Sequence, residues 1–161
     1  MNYYNQISEG YEELHKEEQE KKIELIKQHF KPNKDEKLLD VGCGTGLTTR
    51  PWNCRRFGID PSKNLLEKAK EKDKKGEYKL AQAENIPYQD NFFDIVISIT
   101  AIQNFDNIEK GLSEIKRVGN NKFILTFLKK SPKADKIKEY IHKIFNIKEE
   151  IKEEKDLIFI I

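Results

Sequence analysis

Apolar and polar positions follow one another along this chain with clear punctuation. Tyr11, Leu14, Ile23, Ile26 and Phe30 fall at or near helical spacing in a stretch dense in Glu and Lys. The pattern predicts a helix with one buried stripe and one solvated face, stopped by Pro32 and Asn33. Leu38, Leu39 and Val41 then predict a short buried strand, ended by glycines at 42, 44 and 46. A short helix is expected behind Gly46, cut further by Pro51. A strand over 56–59 follows, and Ser62 caps a helix over 64–75 whose buried side is Leu65, Leu66 and Ala69, with Gly76 at its end. Residues 78–81 read as a third strand and 85–91 as a loop. Residues 92–98 form the most apolar strand, as a central parallel strand covered on both faces requires. A helix over 107–117 buries Ile108, Leu112 and Ile115, and Gly119, Asn120 and Asn121 turn the chain into a fifth strand over 122–128. A helix over 134–145 and two strands, 147–151 and 157–161, complete the pattern. Strand and helix alternate, which predicts an α/β protein: a doubly wound, mostly parallel sheet with helices on both faces. The last two strands lack an intervening helix, so an antiparallel C-terminal hairpin is expected at one sheet edge.

Composition bounds this picture more than it changes it. A chain of 161 residues is sized for one domain. We divide it into a helical preface over 1–35, a core over 36–128, and a closing helix and hairpin over 129–161. Hydrophobic residues make up 37% and charged residues 36%, enough for a folded core under a heavily ionised surface. A net charge of +2 argues neither for nor against nucleic acid. No apolar run approaches the ~18 residues of a membrane span. The opening MNYYNQISEGYEE is polar and acidic, unlike a signal peptide. Cys43 and Cys54 form no CxxC pair and there is no His cluster, so neither a disulfide framework nor a metal site is expected. The expectation is a soluble, cytoplasmic protein.

The chemistry concentrates in KLLDVGCGTG at 37–46. Alternating glycines after a buried strand allow a sharp turn and let a ligand approach the backbone. An ordinary strand-to-helix turn has the same residues. A nicotinamide or flavin GxGxxG fingerprint needs a glycine at 47, where this chain has Leu47. Asp60 ends the second strand, where a carboxylate can accept both hydroxyls of a ribose; before Pro61 it can equally cap a turn.

KLLDVGCGTG resembles the first motif of class I S-adenosylmethionine (SAM) methyltransferases. AQAENIP at 81–87 is similar to the adenine-binding loop of that superfamily, with Ala81 and Gln82 where Gly-Asp is usual. NFFDIVISITAIQNF at 91–105 resembles the stretch in which its fourth strand runs out beside the reacting methyl. By these motifs the chain is identified as similar to a small, type 11-like class I SAM methyltransferase core, over residues 36–128. The resemblance implies a Rossmann-like fold, SAM as cofactor and S-adenosylhomocysteine as product. It implies that Asp40, Gly42, Cys43, Gly44 and Gly46 face the methionine moiety and that Asp60 and Pro61 face the ribose. Gln82, Ala83 and Glu84 would meet the adenine, and Ser98, Ile99 and Thr100 the sulfonium. Tyr4 would cap the cofactor pocket, as an N-terminal tyrosine does in many such enzymes, or else staple the core. Gln103, Asn104 and Tyr11 are the acceptor-side candidates.

Methyl transfer from a sulfonium is mainly a matter of alignment, and a base is needed only where the acceptor must lose a proton. His15, His29 and His142 lie in the first and last helices, at positions that are more often solvated or structural than catalytic. The Asn/Asp-Pro-Pro-aromatic motif of adenine- and glutamine-amino methyltransferases is absent, the stretch at 98–101 being SITA. No cysteine follows the fourth strand for cytosine-C5 chemistry. The acceptor is therefore open between a small molecule and RNA. SITAIQNF also resembles the matching segment of the eukaryotic small-subunit rRNA guanine-N7 methyltransferase, which works with a small activator protein. The core carries no inserted lid, which leaves three expectations open: a shallow site for a macromolecule, a small protein partner that completes the pocket, or a homodimer; a non-catalytic SAM-binding module is the alternative reading. Arg50, Arg55 and Arg56, and Lys129, Lys130 and Lys133, are basic groups that either track phosphates or form plain surface.

Overall fold

The computed structural model describes residues 2–161 in backbone and residues 13–161 in side-chain detail. The chain divides between Lys31 and Pro32 into two compact units. The first is helix α1, Asn2–Lys27. Ile23 and Ile26 are buried on it, as their spacing predicts, whereas Leu14 is 54% exposed. The helix ends ahead of Pro32 in a tightened turn, with Gln28 N–H donating to Leu25 O and His29 N–H to Ile26 O.

The second unit is built on a seven-stranded sheet of order β3-β2-β1-β4-β5-β7-β6. Strands β1 (Lys37–Val41), β2 (Arg55–Asp60), β3 (Glu77–Leu80), β4 (Phe93–Ser98) and β5 (Gly119–Leu128) run parallel. The antiparallel pair is β6 (Glu149–Lys152) and β7 (Asp156–Ile160), with β7 antiparallel to β5 as well. The expected edge hairpin is present, and its order follows from composition. DLIFI is apolar enough to lie between two strands, while EEIK is exposed and takes the edge.

Helices α2 (Lys63–Lys72), α3 (Ile108–Val118) and α4 (Ala134–Ile144) cover the sheet. Leu39, Val96, Leu112, Ile115, Leu125, Phe127, Ile137, Ile141 and Phe159 belong to one buried cluster between strands and helices. Ser62 Oγ caps α2 by accepting from Leu65 N–H, and Asn107 caps α3 in the same way from Lys110 N–H.

Leu65, expected on the buried side of α2, is 37% exposed, and only Leu66 and Ala69 are buried there. Sequence and structure also part in three segments. No helix follows Gly46; the segment makes a single turn, with Arg50 N–H donating to Gly46 O. Thr48 and Thr49 turn their hydroxyls back to Asp40, Trp52 donates to Thr48 O, and Pro51 can donate nothing. Helix α2 stops at Lys72 because Asp73 leaves it to form a bidentate pair with Arg56 and to accept from Tyr78 Oη–H and Gly76 N–H. Gly119, Asn120 and Asn121 are strand, not turn. Gly119 pairs with Phe93 and is overlain by Phe123, whose ring lies 2.4 Å from where a Cβ would stand.

Among the described residues no helix is long and apolar enough to cross a membrane, and no group of His, Cys, Asp and Glu is placed to hold a metal ion.

Candidate functional site

Strand order reverses at β1, which lies between β2 and β4. Ligands of open α/β sheets bind beyond the carboxyl ends of the strands at such a point. Here the loops after β1, β2 and β4 meet. Gly42, Gly44 and Gly46 have φ of +80°, +54° and +87°, a region L side chains adopt only with strain. A Cβ at Gly42 would stand 2.6 Å from Ala101 Cβ, so the loop after β4 packs directly on the glycine turn. Among the described residues a Cβ at Gly44 would meet only Leu65 Cδ1, at 4.0 Å, so that side of the backbone is open to the rest of them.

The turn is held by its neighbours. Gly42 and Cys43 N–H both donate to Ile59 O, and Ser98 Oγ–H donates to Val41 O at 2.9 Å. Asp60 Oδ2 accepts from Gly44 N–H at 2.9 Å, and its Oδ1 from Ser62 N–H at 2.8 Å. Each oxygen keeps accepting capacity beyond those bonds. Both readings of Asp60, turn cap and hydroxyl acceptor, are thus compatible in one residue.

Asp40 is the site's most perturbed carboxylate. It is wholly buried, and its Oδ2 accepts from Thr48 Oγ1 at 2.6 Å and Thr49 Oγ1 at 2.7 Å. Its Oδ1 is shielded and meets no donor among the described residues. Burial pushes its pKa up from 3.8 to about 6, against the lowering effect of the two threonine hydroxyls and with a smaller push from Asp60. A buried anion with an unmatched oxygen suits a cationic N–H donor.

Other predicted residues fall as follows. Cys43 packs with Leu66, Ala69 and Tyr78, its Sγ–H donates to Gly44 O at 3.8 Å, and burial drives its thiol pKa far up. Pro61 and Gln82 are exposed and Ala83 is buried. Glu84 Oε2 accepts from Asn107 N–H at 3.0 Å, holding the start of α3. Ile99 is buried. Gln103 and Asn104 lie in a 3-10 turn, Ile102–Asn104, with Gln103 Nε2 donating to Thr100 O at 2.9 Å. The side chains of Tyr4 and Tyr11 lie outside the described residues.

The sequence reading missed Thr48 and Thr49 as partners of Asp40. It also missed Thr126 and Asp156, which bind Thr100, two residues beyond β4: Asp156 Oδ2 accepts from Thr100 Oγ1 at 2.7 Å. The available signal was a polar residue within the apolar run ILTFL and one at the start of DLIFI.

A parallel sheet carrying an antiparallel strand between its fifth and sixth, with a glycine turn at its switch point, is the architecture of class I SAM-dependent methyltransferases. Comparison with known proteins agrees. The model of the methyltransferase domain family matches residues 39–125. An uncharacterized protein of Methanocaldococcus jannaschii is 31% identical over 127 residues, 78% of this chain and 49% of that protein. A malonyl-[acyl-carrier protein] O-methyltransferase of Hamiltonella defensa is 36% identical over 93 residues, 56% of this chain and 36% of that one. The crystal structure of a SAM-dependent methyltransferase from Aquifex aeolicus superposes with a TM-score of 0.70 at 16% identity, covering 86% of this chain and 87% of that one, a likeness of fold. The chain belongs to the methyltransferase domain family. It spans about half the length of the Methanocaldococcus relative or less of the other curated protein named here. Nothing in these comparisons supports a nicotinamide-binding or a non-catalytic reading.

Proposed function

We propose that the chain binds SAM at the junction of β1, β2 and β4 and transfers its methyl group to an acceptor presented beside Gln103 and Asn104. The observation that carries this reading is the unmatched Oδ1 of buried Asp40 next to a glycine turn whose Gly44 side is open. That oxygen suits the ammonium of SAM's methionine moiety, and the turn's backbone suits its carboxylate. The spare accepting capacity of Asp60 suits the ribose hydroxyls, and Gln82 and Ala83 suit the adenine edge. Ser98 is best read as a support, since its hydroxyl is committed to Val41 O. When bound, SAM would supply an electrophilic methyl on a cationic sulfur, so that an acceptor lone pair would form the new bond to that carbon as the carbon–sulfur pair stays on sulfur, leaving S-adenosylhomocysteine, with any proton on the acceptor atom passing to water. The chain's own work is positioning. Gly42, packed on Ala101, fixes the distance between the cofactor turn and the acceptor loop, and buried Ile99 keeps water from the space between them.

Calorimetric titration with S-adenosylhomocysteine tests the site. We expect micromolar-range affinity, as is usual for a cofactor site. Asp60→Ala should weaken it at least tenfold; unchanged affinity in that variant would remove the ribose assignment. Transfer of labelled methyl from SAM to metabolite and RNA fractions then tests turnover.

A further inference from the structure

We propose that Asp156 is a positioning residue for the acceptor side of the site. Through it, Gln103 Oε1 is presented to an N–H or O–H group on the molecule that takes the methyl. The inference rests on the methyltransferase reading above.

Asp156 opens β7 and, because β7 is antiparallel to β5, it sits opposite Leu128 at the carboxyl end of the parallel strands. It is wholly buried. Its Oδ2 accepts from Thr126 Oγ1 at 2.8 Å and from Thr100 Oγ1 at 2.7 Å. Thr100 N–H donates to Thr126 Oγ1 at 2.8 Å and to Thr126 O at 3.2 Å. Thr100 is thus held by its amide and its hydroxyl at once, and it has a φ of +55°. A β-branched residue reaches that region only where its surroundings over-determine it.

The consequence of that constraint is the aim of Thr100 O, which accepts from Gln103 Nε2 at 2.9 Å. A glutamine amide has one donating and one accepting end, so spending the nitrogen on Thr100 leaves Oε1. Gln103 Oε1 is shielded from solvent and meets no donor among the described residues. The backbone of the same residue is pinned from the other side, with Lys133 Nζ donating to Gln103 O at 3.3 Å. A shielded oxygen offering only lone pairs favours a molecule that brings a proton, such as an amine, amide, hydroxyl or phenol. It disfavours one that brings a bare carboxylate to this position.

Two measurements on the full chain test the proposal. The first reads hydrogen exchange of the Gln103 side-chain amide by nitrogen-15 spectroscopy. Asp156→Ala should accelerate it at least tenfold, and Asp156→Asn, which keeps an accepting oxygen, should restore most of the protection. Should Asp156→Ala fail to fold, Thr100→Gly serves: glycine accepts the φ of +55° and removes the hydroxyl that donates to Asp156, together with the β-carbon and its methyl. Exchange unchanged in Asp156→Ala, or in Thr100→Gly, overturns the relay. The second offers labelled SAM with simple amines and phenols on one side and carboxylates without other protic groups on the other. We expect labelling of the protic probes only, and in Gln103→Leu a KM for the labelled probe raised at least tenfold with kcat within twofold. Labelling confined to the carboxylates, no labelling by a protein that binds S-adenosylhomocysteine, or an unchanged KM overturns the acceptor assignment. Failure of the wild type to bind S-adenosylhomocysteine overturns the methyltransferase reading instead, and the amide exchange still decides the relay.

Discussion

Replacing Asp40 by Asn should make the protein more stable at neutral pH while weakening its hold on the cofactor. The Asp40 carboxyl has its pKa raised from 3.8 to about 6, chiefly by burial. Because the folded value lies above the unfolded one, the native state holds the proton more tightly. The resulting stabilisation is fully present below pH 3.8 and is lost as pH rises through about 6. The difference corresponds to about 3 kcal/mol. Asn carries no charge, so its variant should not show that loss. Asn Oδ1 can take over the hydroxyls of Thr48 and Thr49, but its amide N–H donors then occupy the place of the unmatched oxygen, at a cost of about 1–2 kcal/mol. The variant should therefore be less stable than wild type near pH 4 and more stable by about 1–2 kcal/mol above pH 7. Urea unfolding of both proteins at half-unit steps from pH 4 to pH 8 reads this directly, since other titrating groups cancel in the difference. Parallel stability curves would refute the argument. So would a variant that binds S-adenosylhomocysteine as tightly as wild type, because the unmatched oxygen would then have no part in cofactor binding.

Three further outcomes follow from other parts of the structure. Asp73, paired bidentately with Arg56, has its pKa lowered to about 2, so its contribution is present above pH 3.8 and disappears as pH falls toward 2. Arg56→Ala should remove that acid-side dependence and cost about 3 kcal/mol at pH 7, because a buried carboxylate loses its partner; a loss under 1 kcal/mol in chemical unfolding would contradict this. Gly42→Ala should cost at least about 2 kcal/mol, combining a left-handed backbone with a Cβ 2.6 Å from Ala101 Cβ. Its S-adenosylhomocysteine affinity should fall as well, and wild-type stability in thermal melts would show that the turn is looser than described. Gly111→Ala should also destabilise in thermal melts, since its Cβ would stand 2.5 Å from the Phe105 ring and 3.4 Å from Ala83 Cβ; wild-type stability would show that this contact yields freely.

What the sequence showed of this protein depended on how local the cause was. β4 was legible because burial on both faces demands an unbroken apolar run, and FDIVIS nearly supplies one. The glycine turn was legible because its backbone needs positive φ at alternate positions. The missing helix after Gly46 was not, since the hydroxyls of Thr48 and Thr49 answer to Asp40, on another element. Gly119, Asn120 and Asn121 carry turn propensity, but Gly119 pairs with Phe93 of β4, and Asn120 and Asn121 form a bulge before pairing resumes at Lys122. Asp156 stands just ahead of the strand expected over 157–161 and carries no local sign of its role, because its partners lie 30 and 56 positions away. The candidate cofactor face was therefore readable by motif, while the supports of its acceptor side were written in long-range pairs.

The placement of β7 between β5 and β6 has a bearing on how the chain is made. Synthesis proceeds from the N-terminus, so β5 and then β6 leave the ribosome before the strand that joins them. Until β7 emerges, β6 has no neighbour to pair with, and the edge of β5 stands open along Ile124, Leu125, Thr126 and Phe127. An apolar open edge is a template for other chains. The polar EEIK hairpin arm cannot cover it; only DLIFI can, and it brings Asp156 with it. Closing the sheet against aggregation and fixing Thr100 in place are thus a single late event in the life of the nascent chain.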